Sequence, residues 1–245
     1  MHIDYSAIDG HLLDGLDFCG KVYDLFDQTR AEPHGKSRLR LRQLKIDKRL
    51  VEELIPLARY IQARYREGRR IKVRWLSGSQ QYDAVLWSAG SVVEHGDAPR
   101  KAFVEITTAV HRNEYLVRQR LDENGGSFGV RGIYRERKTG AIVSKPYVFS
   151  EGENAKNLAE LILERLNAKA SKVYPPTTVL IVNCLPTCSP LLEGEWKDAV
   201  ELVRNAKPSI PFREVFLFEM LMSHTTTLYG DPRRAQKPKS RRTSQ

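Results

Sequence analysis

The chain has 245 residues, 41% of them hydrophobic and 29% charged, with 40 Lys+Arg against 30 Asp+Glu and a formal net charge of +10. That is enough apolar material for a buried core and too polar for a membrane protein. Three cysteines, an odd number, argue against a disulfide framework and lead us to expect a reducing, cytoplasmic setting.

The charge is unevenly placed. Residues 1–35 carry seven acids and two bases, residues 36–80 fourteen bases and four acids, residues 81–230 balance, and residues 231–245 carry six bases and one acid. Blocks of this kind point to a polyanionic partner, nucleic acid first. The first fifteen residues hold three aspartates and no apolar core, so no secretory leader is expected. Three segments follow: an acidic helical N-terminal segment (1–35), an α/β domain (36–230) and a disordered basic tail (231–245). The opposite charges of the two ends also allow head-to-tail contacts in a homodimer.

In chain order, residues 1–30 place apolar side chains three to four apart among aspartates, which predicts one or two amphipathic helices. The basic and apolar alternation from Arg38 to Arg42 reads as a short strand or extended arm. Asp47 can cap a helix over 47–67, with Pro56 predicting a kink or a division into two. Strands are predicted over 71–76, 82–87 and 101–108, the first two forming a hairpin. A long polar loop, 88–100, separates the second and third. A helix over 111–123 stops at Asn124-Gly125-Gly126, and 127–135 with 141–149 read as a second hairpin. Helix 153–169, strand 177–183 (TTVLIVN), helix 195–206 and strand 213–218 (REVFLF) complete the pattern. The alternation implies an α/β fold, a mixed central sheet flanked by helices on both faces. The run 173–192 is broken by four prolines and reads as a buried strand, not a membrane span. Cys184 and Cys188 lack a second pair for zinc and read as small apolar residues.

Several motifs fail. Gly35-Lys36-Ser37 lacks the glycine of a phosphate-binding loop, since Arg30 occupies its place. Gly126, Gly129 and Gly132 have the wrong spacing for a dinucleotide fingerprint. Neither HExxH nor GxSxG occurs. What holds together is a pair of acids. Asp83 opens the apolar run Tyr82–Trp87, and Glu105 sits inside Ala102–Thr107. A carboxylate inside a buried strand is costly unless paired, hydrogen-bonded or bound to a cation. Two on neighbouring strands can converge on one Mg²⁺ or Mn²⁺. The alternative is that Asp83 caps a turn and Glu105 pairs with an arginine such as Arg74 or Arg118.

The order helix, strand, strand with Asp83, strand with Glu105, helix resembles the core of the PD-(D/E)XK, or restriction-endonuclease-like, nuclease superfamily. The resemblance covers about residues 47–123, with TTVLIVN extending the sheet. It implies a Mg²⁺-dependent (or Mn²⁺-dependent) endonuclease, a hydrolase acting on DNA or RNA. Asp83 and Glu105 would be metal ligands, joined by the Ile106 carbonyl, and Glu52 or Glu53 would match the acid that some members carry on the first helix. The family's lysine position holds Thr107, so another side chain must supply positive charge. Arg118 and His111, placed with Tyr115 on one face of helix 111–123, are candidates, and Lys101 is a more distant one. Lys36, Arg38, Arg40, Arg42, Arg69, Arg70 and Lys72 would track the phosphate backbone. Two other readings stay open: a catalytically inactive nuclease-fold protein that binds nucleic acid, and an interaction protein.

Overall fold

The computed structural model describes residues 4–185, 191–208 and 210–229; the tail 231–245 and Cys188 lie outside the described residues. A seven-stranded mixed sheet runs through the molecule in the order β1-β2-β3-β4-β7-β8-β9. β1 (Leu13–Asp14), β2 (Arg70–Trp75), β3 (Ala84–Ala89) and β4 (Lys101–Ala109) form an antiparallel meander. β7 (Val179–Cys184) and β8 (Glu214–Glu219) add parallel to β4, and β9 (Thr225–Tyr229) closes the edge antiparallel. β5 (Ile133–Arg135) and β6 (Ile142–Ser144) make a separate hairpin. Among the described residues no helix is long and apolar enough to cross a membrane.

Helices cover both faces. On one, α1 (Gly15–Ala31) and α4 (Ile55–Arg64) bury Phe18, Val22, Leu57 and Ile61 against Val73, Val104, Ile181 and Phe216. On the other, α7 (Glu153–Ala170) and α8 (Glu193–Asn205) bury Leu158, Ile162, Ala199 and Val203 against Leu180, Val182 and Leu217. β7 is buried at all six positions, as the unbroken apolar run requires of a strand covered twice. β2 alternates exposed and buried residue by residue, so only one of its faces is covered. The acidic N-terminal segment is built into this body. Asp14 caps α1 by accepting from Leu16 N at 2.9 Å, and Phe18 and Val22 share the core with α4.

Three sequence expectations change, at residues 35–41, 88–100 and 111–113, while the division expected from Pro56 is found. Residues 35–41 are a helix, α2 (Gly35–Leu41), not a basic strand or arm. A five-residue alternation is too short to fix a strand, and here Leu39 buries while Arg38 pairs with Asp47 (2.8 Å) and Glu32 (2.5 Å). The helix expected over 47–67 is divided into α3 (Lys45–Arg49), a π-helical turn (Leu50–Leu54) and α4. Pro56 lacks an N–H and crowds the carbonyls before it, and the preceding turn widens so that Ile55 N bonds Leu50 O. The helix expected from 111 is α6 (Glu114–Asn124), and the 88–100 loop contains the short α5 (Ser91–Glu94).

Candidate active site

β3 begins at Ala84, directly after Asp83, and β4 runs on beyond that point. Asp83 N donates to Val104 O at 2.8 Å, and its carbonyl accepts from Leu76 N at 3.0 Å. Its carboxylate Oδ2 then accepts from Ile106 N at 2.7 Å. The side chain therefore takes the place of the strand that has ended and continues the ladder along β4. The carbonyl of Ile106 leaves the same edge of β4 as its N–H, toward the Asp83 side.

Glu105, its neighbour along β4, is 8% exposed. Its Oε1 accepts from Lys169 Nζ, an ion pair formed by the last turn of α7. The Tyr174 phenol lies beside the same carboxylate; burial first, then the Glu105 charge, pushes its pKa up. Burial, followed by repulsion from Glu105, raises the Asp83 carboxyl from its ordinary 3.8 to about 7, while the Ile106 N–H and Lys169 oppose the rise. A third acid, Glu53, lies within electrostatic reach of Asp83 from the π-helical turn, and burial raises its pKa too. The widened turn ahead of Pro56 thus carries a carboxyl toward the end of β3.

Asp83, bonded to Ile106 N, and Glu105, bonded to Lys169, thus lie side by side along β4 where β3 begins, with Glu53 and the Tyr174 phenol within electrostatic reach. Asp83 and Glu53 resist ionisation chiefly because they are buried, and at Asp83 the charge of Glu105 adds to that cost. A cation placed between Asp83 and Glu105 would relieve that cost. Among the described residues no group of three or more His, Cys, Asp or Glu side chains is gathered closely enough to hold a metal ion by itself. What is present matches the smaller demand of Mg²⁺, which takes one or two carboxylates, a carbonyl and several waters.

The other expected residues fall elsewhere. Glu52, the alternative to Glu53, is held by Arg42 (3.3 Å) and Lys48 (3.9 Å). Thr107 shares the face of Glu105 by strand alternation and is half-buried. His111 precedes α6, so it does not share a helical face with Tyr115 and Arg118; its Nδ1 accepts from Asn113 N at 3.1 Å. Burial, then the nearby Arg131 and Arg112, lowers its pKa, which leaves a neutral imidazole at neutral pH. Arg118 is ion-paired with Glu114 one turn away. Glu105 pairs with neither Arg74 nor Arg118 but with Lys169.

The basic stretch divides in the same way. Arg38, Arg40 and Arg42 are engaged by Asp47, Asp122 and Glu52. Lys36 is exposed on α2, and Arg69 and Arg70 line a hollow of about 470 Å³ with Gly68 and Gly90. Arg70, Lys72 and Arg74 form the exposed row of β2. Comparison with known proteins adds nothing to this geometry: no family model, no curated protein and no solved structure matches the chain.

Lys169 is the residue that sequence reasoning missed. It stands 64 positions from Glu105, and no local motif connects them. A signal was nonetheless present, because Leu158, Ile162, Leu166 and Lys169 are spaced four, four and three. That places the lysine on the buried stripe of its helix.

Proposed function

We propose that the chain is a metal-dependent nuclease that hydrolyses phosphodiester bonds in DNA or RNA, with a PD-(D/E)XK core diverged in the position of its lysine. The observation that carries this reading is the meeting of Asp83, Glu105 and Lys169 at the point where β3 ends beside β4. The order α4, β2, β3, β4, α6, with the short α5 before β4 and with β7 joining parallel to β4 after the β5–β6 hairpin and α7, supports it as well.

Asp83, Glu105 and the Ile106 carbonyl are the groups that would hold Mg²⁺ or Mn²⁺. An ion held there would supply Lewis-acid chemistry, polarising a phosphate and lowering the pKa of a water. The protein's own part follows from its contacts. The Ile106 N–H fixes the Asp83 carboxylate in one orientation. Lys169 supplies the positive charge absent at Thr107, so its ammonium stabilises charge that builds on the phosphate oxygens. Tyr174 and the buried wall behind Glu105 keep the carboxylate poorly solvated, which strengthens its hold on a cation. Glu53 adds negative charge behind Asp83.

A second reading, a nuclease fold that binds nucleic acid without cutting it, is favoured by one observation: Lys169 is committed directly to Glu105. Incubation of the protein with plasmid, linear and single-stranded DNA and with RNA, in Mg²⁺, Mn²⁺ or EDTA, separates the two. Metal-dependent cleavage that is lost in Asp83→Asn and in Glu105→Gln supports the enzyme; binding without cleavage supports the second reading.

A further inference from the structure

Among the described residues, helices cover only part of the face of the sheet that carries Glu105. α7 and α8 pack over β4, β7 and β8, but the apolar cluster beneath them includes no residue of β2 or β3. The register sets Arg70, Lys72 and Arg74 of β2 opposite Ala89, Trp87 and Val85 of β3, and sets Trp87 and Val85 opposite Lys101 and Phe103 of β4. Side chains paired across strands share a face, so cations and rings are interleaved on one surface.

Contacts within this surface are already of the cation–ring kind. The Arg74 guanidinium lies 5.7 Å from the Trp87 ring centroid, and Lys101 Nζ lies 5.8 Å from Trp87 and 5.0 Å from Phe103. Tyr82 packs on Phe103 with centroids 4.7 Å apart. Trp87 and Phe103 are both partly exposed, whereas Trp75 is 0% and Trp196 4% exposed. The acid across from Lys72 is Asp14, whose carboxylate is turned to cap α1.

We infer that this open face of β2, β3 and β4 is a platform for single-stranded nucleic acid, which it delivers to Asp83 and Glu105. Every base has a π-face and can stack on Trp87 or Phe103, while Arg70, Lys72, Arg74 and Lys101 follow the phosphates. A duplex keeps its bases stacked on each other and offers the rings nothing. The geometry also gives a path. Phe103 precedes Glu105 by two residues on the same face, about 7 Å, and Trp87 lies opposite Lys101, about 13 Å from Glu105 along β4. The inference rests on the nuclease reading for its destination, and specifies the strandedness of the substrate.

Binding of end-labelled oligo-dT and oligo-U, and of a DNA duplex of equal length, is measured by anisotropy in EDTA, with tryptophan emission followed in parallel. The single strands are expected to bind at least tenfold more tightly than the duplex and to quench emission, since Trp87 is the exposed indole. Trp87→Ala is expected to weaken single-strand binding about tenfold or more, the usual effect of removing one stacking ring. Trp87→Phe retains most of the affinity, and Lys72→Ala reduces the salt slope by about 0.7, one phosphate contact on a single strand. Equal or tighter binding of duplex overturns the platform, as does unchanged binding by Trp87→Ala and Lys72→Ala together. Cleavage in Mg²⁺ is scored separately on the wild-type protein and on Trp87→Ala. Cutting that is indifferent to Trp87 removes the platform and keeps the nuclease; stacking-dependent binding without cutting does the reverse.

Discussion

Neutralising Asp83 should stabilise the metal-free protein, and only above mildly acidic pH. The folded carboxyl titrates near 7 against an ordinary 3.8, so its charged form is disfavoured in the fold by roughly 4 kcal/mol. Below about pH 3 the group is largely neutral whether the chain is folded or unfolded, and the penalty is absent. As pH rises, the unfolded carboxyl ionises first and stability falls, until the folded carboxyl ionises near pH 7 and the loss is complete. Asp83→Asn keeps an oxygen that can accept from Ile106 N, but gives the second oxygen's place to an amide NH₂ that must find its own partner. With that cost of about 1–3 kcal/mol subtracted, a net gain of about 2 kcal/mol at pH 8 is expected. For a chain of this length the gain is a rise in Tm of about 5 °C. Thermal unfolding of both proteins in EDTA at pH 5 and pH 8 tests this. A gain at pH 8 that shrinks at pH 5 is the expected result. A Tm shift of equal size at both pH values, or a loss at pH 8, refutes the electrostatic origin.

Lys169→Ala should reduce cleavage by about 10²–10³-fold, with Lys169→Arg recovering part of it in the same gel assay; full activity in the alanine variant would remove the lysine from the mechanism. Asn183 is fully buried, and both its amide atoms lack a hydrogen-bond partner. Asn183→Leu, similar in shape, should therefore raise unfolding stability by about 1–3 kcal/mol in urea titration, and a loss would show that the amide is satisfied in solution. Asp47, 0% exposed, holds Arg38 in place, and Asp47→Ala should cost about 3 kcal/mol by the same titration; a change under about 0.5 kcal/mol would show a solvated pair. Arg40→Ala, which removes a surface pair with Asp122, should change stability by less than about 1 kcal/mol and leave nucleic-acid affinity nearly unchanged.

The two acids on β3 and β4 were legible in the sequence because a carboxylate in an apolar strand is expensive, whatever the fold. Their neighbourhood was not, because it comes from distant elements. Lys169 reaches Glu105 only once α7 has packed over β4. The choice between Glu53 and Glu52 depends on a π-helical turn that a 3.6-residue period cannot anticipate. The basic block at 36–42 looked like an unbroken phosphate track. Its partners Glu32, Asp47, Glu52 and Asp122 belong to other elements, and pairing with them consumes most of its charge. β9 escaped notice because TTTLY is short and shows a single clear apolar position, Leu228. The strand alternation at Ile71–Trp75 was visible. Which of the two faces stays open was not, since periodicity distinguishes the faces without saying which one a helix will cover.

Whether Asp83 and Glu105 form one cation-dependent hydrolytic site is decided most directly by cleavage of a labelled single-stranded oligonucleotide titrated with Mg²⁺. Cutting should saturate with the ion, stop in EDTA, and be lost in both Asp83→Asn and Glu105→Gln while their binding to the strand persists. Cleavage that continues in EDTA, or that survives either substitution, would rule the site out.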